Sequence, residues 1–266
     1  MNNKVQIHNT EDGKQFVNAI SKFPFDVTIS NGRYKIDAKS IMGVFSIDTS
    51  KPCNIEWSGV VPNDLALQWQ LDKQFNALIE PFLFKAPIIM LVGVSGSGKT
   101  TIAKKLYEEY GLTSINSYTT RKPRNEGETG HIFVSEEEFD NIPASDIVAY
   151  TVYKGNRYCA VKQQVDNNDI YIIDPTGLIN INRNVCSKKI IAVYITANEE
   201  ECLRRMIARG NSKEEAWQRI YNDRTEFAKM KHVDVDCFLV NNSPEDLNFA
   251  VQKIYNLYCG GSNEVI

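Results

Sequence analysis

The first eighty residues set short alternating stretches against amphipathic ones. Lys4 to His8 reads as a strand, and Gly13 to Ile20 as a helix with Phe16, Val17 and Ile20 on one face. Phe25 to Ile29 predicts a strand, Asn31-Gly32 a tight turn, and Tyr34 to Asp37 the return strand of a hairpin. A short helix over Ile41 to Phe45 and a strand over Asn54 to Trp57 follow. Pro62, Asn63 and Asp64 then open a helix whose apolar positions are Leu65, Leu67, Leu71, Phe75, Leu78 and Ile79. This predicts a small α+β unit ending near residue 80.

Beyond Pro81 and Pro87 the pattern changes. Ile88 to Val92 is an uninterrupted apolar run, as in a strand covered on both faces of a parallel sheet. Ile170 to Ile173 and Ile190 to Ile195 match it, with Cys237 to Val240 as a fourth. Between them lie helices with start signals: Asn198 with Glu201, Ser212 with Glu215, and Ser243-Pro244 ahead of Leu247, Val251 and Ile254. Gly210 ends one helix and Gly260-Gly261 the last. Alternating strands and helices predict a parallel α/β domain over about residues 84 to 260.

The length of 266 residues agrees with two units at roughly 150 residues per domain. With 42% hydrophobic and 24% charged residues the chain can build real cores. Its 30 basic and 33 acidic residues leave a net charge of −3, which gives no general pull toward nucleic acid or an anionic membrane. No apolar run approaches the roughly 20 residues that span a bilayer. The first residues form no apolar signal core, so a cytoplasmic protein is expected. The six cysteines form no C-x-x-C pair, which favours reduced structural thiols over a disulfide framework or a zinc site.

Residues 93 to 100, Gly-Val-Ser-Gly-Ser-Gly-Lys-Thr, fit G-x-x-x-x-G-K-[ST] in full between the first buried strand and a helix with Ile102, Leu106 and Tyr107 on its apolar face. The glycines let successive N–H groups point inward as a concave anion site at a helix N-terminus. Gly93, Ser95, Gly96, Ser97 and Gly98 would hold phosphates. Lys99 supplies a charge to the β- and γ-phosphates, and the Thr100 hydroxyl reaches Mg²⁺, with Thr101 next in line. A plain Gly/Ser turn is the competing reading. Two arginine groups flank the loop: Arg121 with Arg124, and Arg205 with Arg209, four residues apart on one helix, with Arg219 in the next. They are solvated surface or the cations that phosphoryl transfer needs. His8 and His232 read as structural or solvated.

Thr119 to Arg124, Glu128, Phe133 to Phe139, Tyr153 to Tyr158, Asp174 to Gly177, Arg205 with Arg209-Gly210, and Val240 to Asn242 together resemble the guanylate kinase family in the family's order, over residues 86 to 258. The resemblance implies a P-loop kinase using ATP and Mg²⁺ on a nucleoside monophosphate. It further implies that Ser117, Arg121, Arg124, His131 and Tyr158 hold the acceptor. Arg205, Arg209 and Arg219 would be lid and transition-state cations, Asp174 would lie at the acceptor–metal region, and Asn241 near the ATP base. The family's guanine-reading glutamate falls on Ala149, its following serine or threonine on Ala160, and a tyrosine of the acceptor-phosphate set on His131. Guanine's N1–H and N2–H₂ donors lose a natural acceptor, which costs about 1–3 kcal/mol each when they are buried. Phosphate chemistry is thus expected with altered base recognition, Asp146 being the alternative carboxylate. A non-catalytic binding module and a kinase of another phosphorylated acceptor, such as a sugar phosphate, are the other readings.

Asp37 to Val44, Ser50 to Pro52 and the β-α-β-β-α-β-α order of residues 1 to 80 resemble the phosphocarrier protein HPr, an open-faced α+β sandwich. That family carries phosphate on a histidine at the start of its first helix. Residues 9 to 15, Asn-Thr-Glu-Asp-Gly-Lys-Gln, contain none. The resemblance therefore implies a regulatory or docking role toward a protein partner rather than phosphate carriage. Ser40 matches the family's regulatory serine and also reads as an N-cap.

Overall fold

The computed structural model describes residues 3–49, 51–59, 64–123, 126–228, 230 and 233–260. Ser50, Pro62, Asn63, Arg124, His232 and Gly261, all singled out above, lie outside the described residues. The chain divides into two compact units, Met1–Lys85 joined by Cys259 and Gly260, and Ala86–Tyr258.

The first unit runs β1 (Asn3–Val5), α1 (Thr10–Ile20), β2 (Asp26–Asn31), β3 (Tyr34–Asp37), α2 (Ile41–Val44), β4 (Cys53–Ser58) and α3 (Leu65–Ile79). Its antiparallel sheet has the order β1-β4-β2-β3. Helices α1 and α3 press Phe16, Ile20, Phe75 and Ile79 into one core with Val27, Ile29 and Ile55 of the sheet. Asn9 caps α1 by accepting from the Asp12 N–H at 2.9 Å, and Asp64 caps α3 through Ala66 and Leu67. Ser40 caps α2, its Oγ accepting from Gly43 N–H at 3.1 Å.

Several boundaries differ from expectation. The strand expected over Lys4 to His8 stops at Val5, because Gln6 N–H bonds Phe82 O and Ile7 N–H bonds Thr49 O instead of continuing the β4 ladder. The hairpin turn centres on Gly32 and Arg33, since Asn31 pairs with Tyr34 and Gly32 takes the left-handed φ of 58°. Leu65 and Leu67 are 87% and 40% exposed: α3 buries Leu71, Phe75 and Ile79, and its first turn, which carries those two leucines, stays exposed.

The second unit runs β5 (Ile88–Gly93), α4 (Lys99–Tyr110), β6 (Ser117–Thr119), β7 (His131–Phe133), α5 (Glu136–Asp140), β8 (Ile147–Tyr153), β9 (Asn156–Val161), α6 (Lys162–Asn167), β10 (Ile170–Ile172), α7 (Pro175–Ile179), β11 (Ile190–Thr196), α8 (Glu199–Ala208), α9 (Lys213–Phe227), β12 (Cys237–Val240) and α10 (Pro244–Tyr258). The four apolar runs form one parallel sheet, order β10-β5-β11-β12. Every residue of central β5 is buried, as its unbroken apolar run requires. A second sheet, order β7-β6-β9-β8, is mixed and shares a core with the first through Val148, Ala160, Tyr171 and Ile173.

Two helix expectations in this unit also change. Tyr107 is exposed, and α4 buries Ile102, Ala103 and Leu106 instead. The box expected between Asn198 and Glu201 does not form. The Glu201 carboxylate binds Arg204 and Arg205, stronger donors than a neutral amide, while Asn198 N–H bonds the Asn242 side chain. Ser212 with Glu215 does form the reciprocal box.

Candidate functional site

Strand β5 delivers the chain into the loop at the end of a fully buried parallel strand, and α4 begins at Lys99. Three loop glycines are sterically obligatory, and at Gly93 a Cβ would strike the backbone carbonyl of Ile195. Gly96 and Gly98 sit at φ of 82° and 98°, and a Cβ there would strike the Cys202 backbone and the Asn241 side-chain amide respectively. Asn241, just after β12, is 2% exposed and donates from Nδ2 to Ser97 O at 2.7 Å. It braces the loop from beneath. Among the described residues, Asn241 Oδ1 and Ser97 Oγ are buried polar atoms with no hydrogen-bond partner.

Lys99 donates from Nζ to Gly93 O at 2.6 Å and Val94 O at 2.9 Å. Burial pushes its ammonium down to about 8, against the opposing pull of Asp223. Arg205 reaches Gly96 O at 3.3 Å while Glu201 holds its Nε at 2.7 Å. Arg209, at the exposed C-cap of α8, lies within electrostatic reach of Lys99. Thr100 and Thr101 face outward on the first turn of α4.

The loop opens onto a cleft of about 480 Å³, lined on the loop side by Gly93, Ser95 and Lys99. Ser117, Arg121, His131 and Tyr158 line the opposite side. They come from β6, β7, β9 and the turn after β6. Ser117 Oγ lies 3.0 Å from His131 Nδ1. Arg121 forms a two-pronged pair with Glu128, at 2.8 and 3.1 Å, with the two side chains 14% and 16% exposed. That pair holds the Arg121 guanidinium above its ordinary range. Its Nε is buried with no partner among the described residues, and its plane lies over the Phe133 ring. Asp174 caps α7 through Gly177 N–H at 2.9 Å and accepts from Thr151 Oγ1 at 3.2 Å; burial raises its carboxyl above the usual range. Arg219 joins the cleft from α9.

Two cleft groups escaped the sequence reading, Asp223 and Glu226, and Tyr153 entered it only as part of a motif with no role assigned. Positions 219, 223, 226 and 227 recur at helical spacing, so their shared face was visible in principle. Glu226 accepts from Thr176 Oγ1 at 2.6 Å. The two positions onto which the resemblance places base reading are apolar. Ala149 and Ala160 are paired across β8 and β9, 2% and 0% exposed. Asp146 is exposed in a turn with Ser145, and neither it nor Ala149 is among the described lining residues of the cleft.

The family model described as guanylate kinase matches residues 85–257. The chain belongs to the guanylate kinase family. A second model, described as the PTS HPr component phosphorylation site, matches residues 2–58. A guanylate kinase from Fusobacterium nucleatum is 31% identical over 140 residues, 49% of this chain and 75% of that protein. One from Clostridium tetani is 30% identical over 183 residues, 65% of this chain and 85% of that protein. The solved guanylate kinase of Anaplasma phagocytophilum aligns with a TM-score of 0.45 at 22% identity, over 68% of this chain and 89% of that one. Among the described residues, no helix is long and apolar enough to cross a membrane.

Proposed function

We propose that this guanylate kinase family member transfers the γ-phosphoryl group of ATP to a nucleoside monophosphate, with its reading of the base altered. The single supporting observation is one cleft shared by the phosphate loop with Lys99 and by Ser117, Arg121, His131 and Tyr158. The left-handed glycines and the orphaned Ser97 hydroxyl beneath the loop suit a polyphosphate. The amides of Gly93 and Ser95 to Gly98 would hold it, with Lys99 on the β- and γ-phosphates and Asn241 keeping the loop in shape. Thr101 stands beside Thr100 on the first turn of α4.

Among the described residues, no three His, Cys, Asp or Glu side chains gather closely enough to cage a metal. That suits Mg²⁺, which keeps most of its ligands as water and substrate phosphate, with Thr100 as its protein hydroxyl. Bound there, the ion would neutralise charge on the β- and γ-oxygens. An acceptor phosphate would meet the Arg121 guanidinium, which lines the cleft, together with Arg124, Ser117, His131 and Tyr158. An acceptor oxygen then bonds to the γ-phosphorus as the bond to the β–γ bridging oxygen breaks, leaving ADP. Arg205, Arg209 and Arg219 would spread the migrating charge, and Asp174 would orient the acceptor.

The apolar Ala149–Ala160 pair favours a second reading, a phosphorylated acceptor without guanine such as a sugar phosphate. A coupled ADP-release assay with ATP, Mg²⁺ and GMP, dGMP, AMP, UMP and ribose phosphates decides between them. Turnover with a nucleoside monophosphate is expected. Turnover with a ribose phosphate alone moves the assignment to the second reading, and ATP binding without any turnover moves it to a non-catalytic module. We further propose a division into an HPr-like domain over residues 1–80, lacking the phosphoacceptor histidine, and a kinase domain over 86–260, in a cytoplasmic protein. The first domain would serve a regulatory protein partner. Unchanged acceptor affinity, turnover and oligomeric state after deletion of 1–80 would defeat that role.

A further inference from the structure

The strand end of the phosphate loop is already engaged by an anion of the protein's own. Asp223, on α9, accepts from the Ser95 N–H through Oδ2 at 2.5 Å, although the two residues lie 128 positions apart. The same carboxylate lines the cleft together with Lys99, Ser117 and Arg121. It also lies near enough to Lys99 to favour the charged ammonium. Amides of a phosphate loop are aimed at negatively charged oxygen, and a carboxylate oxygen meets that requirement as a phosphoryl oxygen does.

The position of the contact matters. Gly98 to Thr100 open helix α4, whereas Ser95 sits three residues nearer the strand and faces the cleft that also holds Ser117 and Arg121. A group moving from a polyphosphate on the loop to an acceptor beside Arg121 has to pass through that cleft. Two anions cannot share one N–H at contact distance without strong repulsion at the low effective dielectric of a protein cleft. We infer that Asp223 stands in for the phosphoryl group that is transferred, so that a nucleoside triphosphate has to displace it whereas a nucleoside diphosphate does not. Asp223 is then a specificity-determining residue: its charge lowers triphosphate affinity relative to diphosphate affinity, and its return to Ser95 after transfer closes the site behind the departing group. The inference rests on the phosphoryl-transfer reading above.

The test is titration calorimetry of the full chain with Mg²⁺ and either ADP or a non-hydrolysable ATP analogue, comparing wild type with Asp223→Asn. Asparagine keeps an oxygen for the Ser95 N–H and removes the charge. The triphosphate analogue is expected to bind about tenfold more tightly to Asp223→Asn, with ADP affinity changed by less than about twofold. Asp223→Ser, which removes the charge and the reach, is expected to shift in the same direction, and thermal melting verifies that each variant folds. Should either folded variant bind the triphosphate more weakly, or shift both nucleotides equally, the stand-in role is overturned while the kinase reading stands. Wild-type protein that binds neither nucleotide overturns both.

Discussion

The two ends of the cleft are built from different material. The loop end is made of backbone, contributed by eight consecutive residues at the end of one buried strand and braced by Asn241. The acceptor end is made of side chains from β6, β7, β8 and β9 and the turn after β6, held by pairs such as Arg121–Glu128 and Ser117–His131. Most substitutions leave backbone amides in place, so the loop end changes chiefly through its glycines, Lys99, Thr100 and the side chains that touch it, Asn241 and Asp223. On the proposed reading the acceptor end can change one side chain at a time, and the alanines at 149 and 160 would be such changes. If the proposed roles hold, the contrast means that affinity for the donor nucleotide and preference for the acceptor can diverge independently within one cleft.

The contrast is broken most sharply at Lys99. Lys99→Ala is expected to lower turnover by about 10²–10³-fold with every acceptor, because the cation over the transferring group is lost. Steady-state kinetics across the acceptor panel reads it, and an effect confined to one acceptor would contradict the shared loop end. Arg121→Ala strikes the other end. It is expected to lower kcat/KM for the acceptor about 100-fold while leaving ATP affinity within about twofold. It also removes the two-pronged bond to half-buried Glu128, costing about 1 kcal/mol of stability in urea unfolding. Loss of ATP affinity in this variant would mean that the two ends are not separable.

A third test uses pH. The Lys99 ammonium, pushed down to about 8 by burial, is charged below that pH and neutral above it. A bound polyphosphate favours the charged form, so ATP affinity should fall as pH rises through 8, by about tenfold between pH 7 and 9. Lys99→Arg, charged throughout, should flatten the profile; a wild-type profile already flat over that range contradicts the assignment. The smallest effect is expected at Ala149. It lies on the same face of β8 as Thr151, which bonds Asp174 of the cleft. Ala149→Glu should raise GMP turnover relative to other acceptors by about fivefold, through charge-assisted bonds to the guanine donors offset by the burial of a carboxylate. No gain for GMP would place the base elsewhere.

Regularly repeating features were legible in advance. The four strands of the parallel sheet, the loop at the end of the first, and the helices α9 and α10 with their Ser212 and Ser243 starts follow from local apolar runs and capping residues. The mixed sheet was not foreseen as a sheet, because three-residue strands such as β6 and β7 carry too little pattern to read. Leu65 and Tyr107 look like core residues by type and prove exposed, since a helix buries a stripe and not every apolar position.

From the order of its residues alone, this protein declares a phosphate loop, its family and its departures at Ala149, Ala160 and His131, because backbone geometry and motif spacing are local properties of the chain. Only the tertiary structure decided that Glu128 clamps Arg121, that Asn241 supports the loop from below, and that Asp223 reaches Ser95 from 128 residues away. Those contacts join segments whose separation along the chain says nothing of their distance in space, and packing of the sheets and helices brings them together.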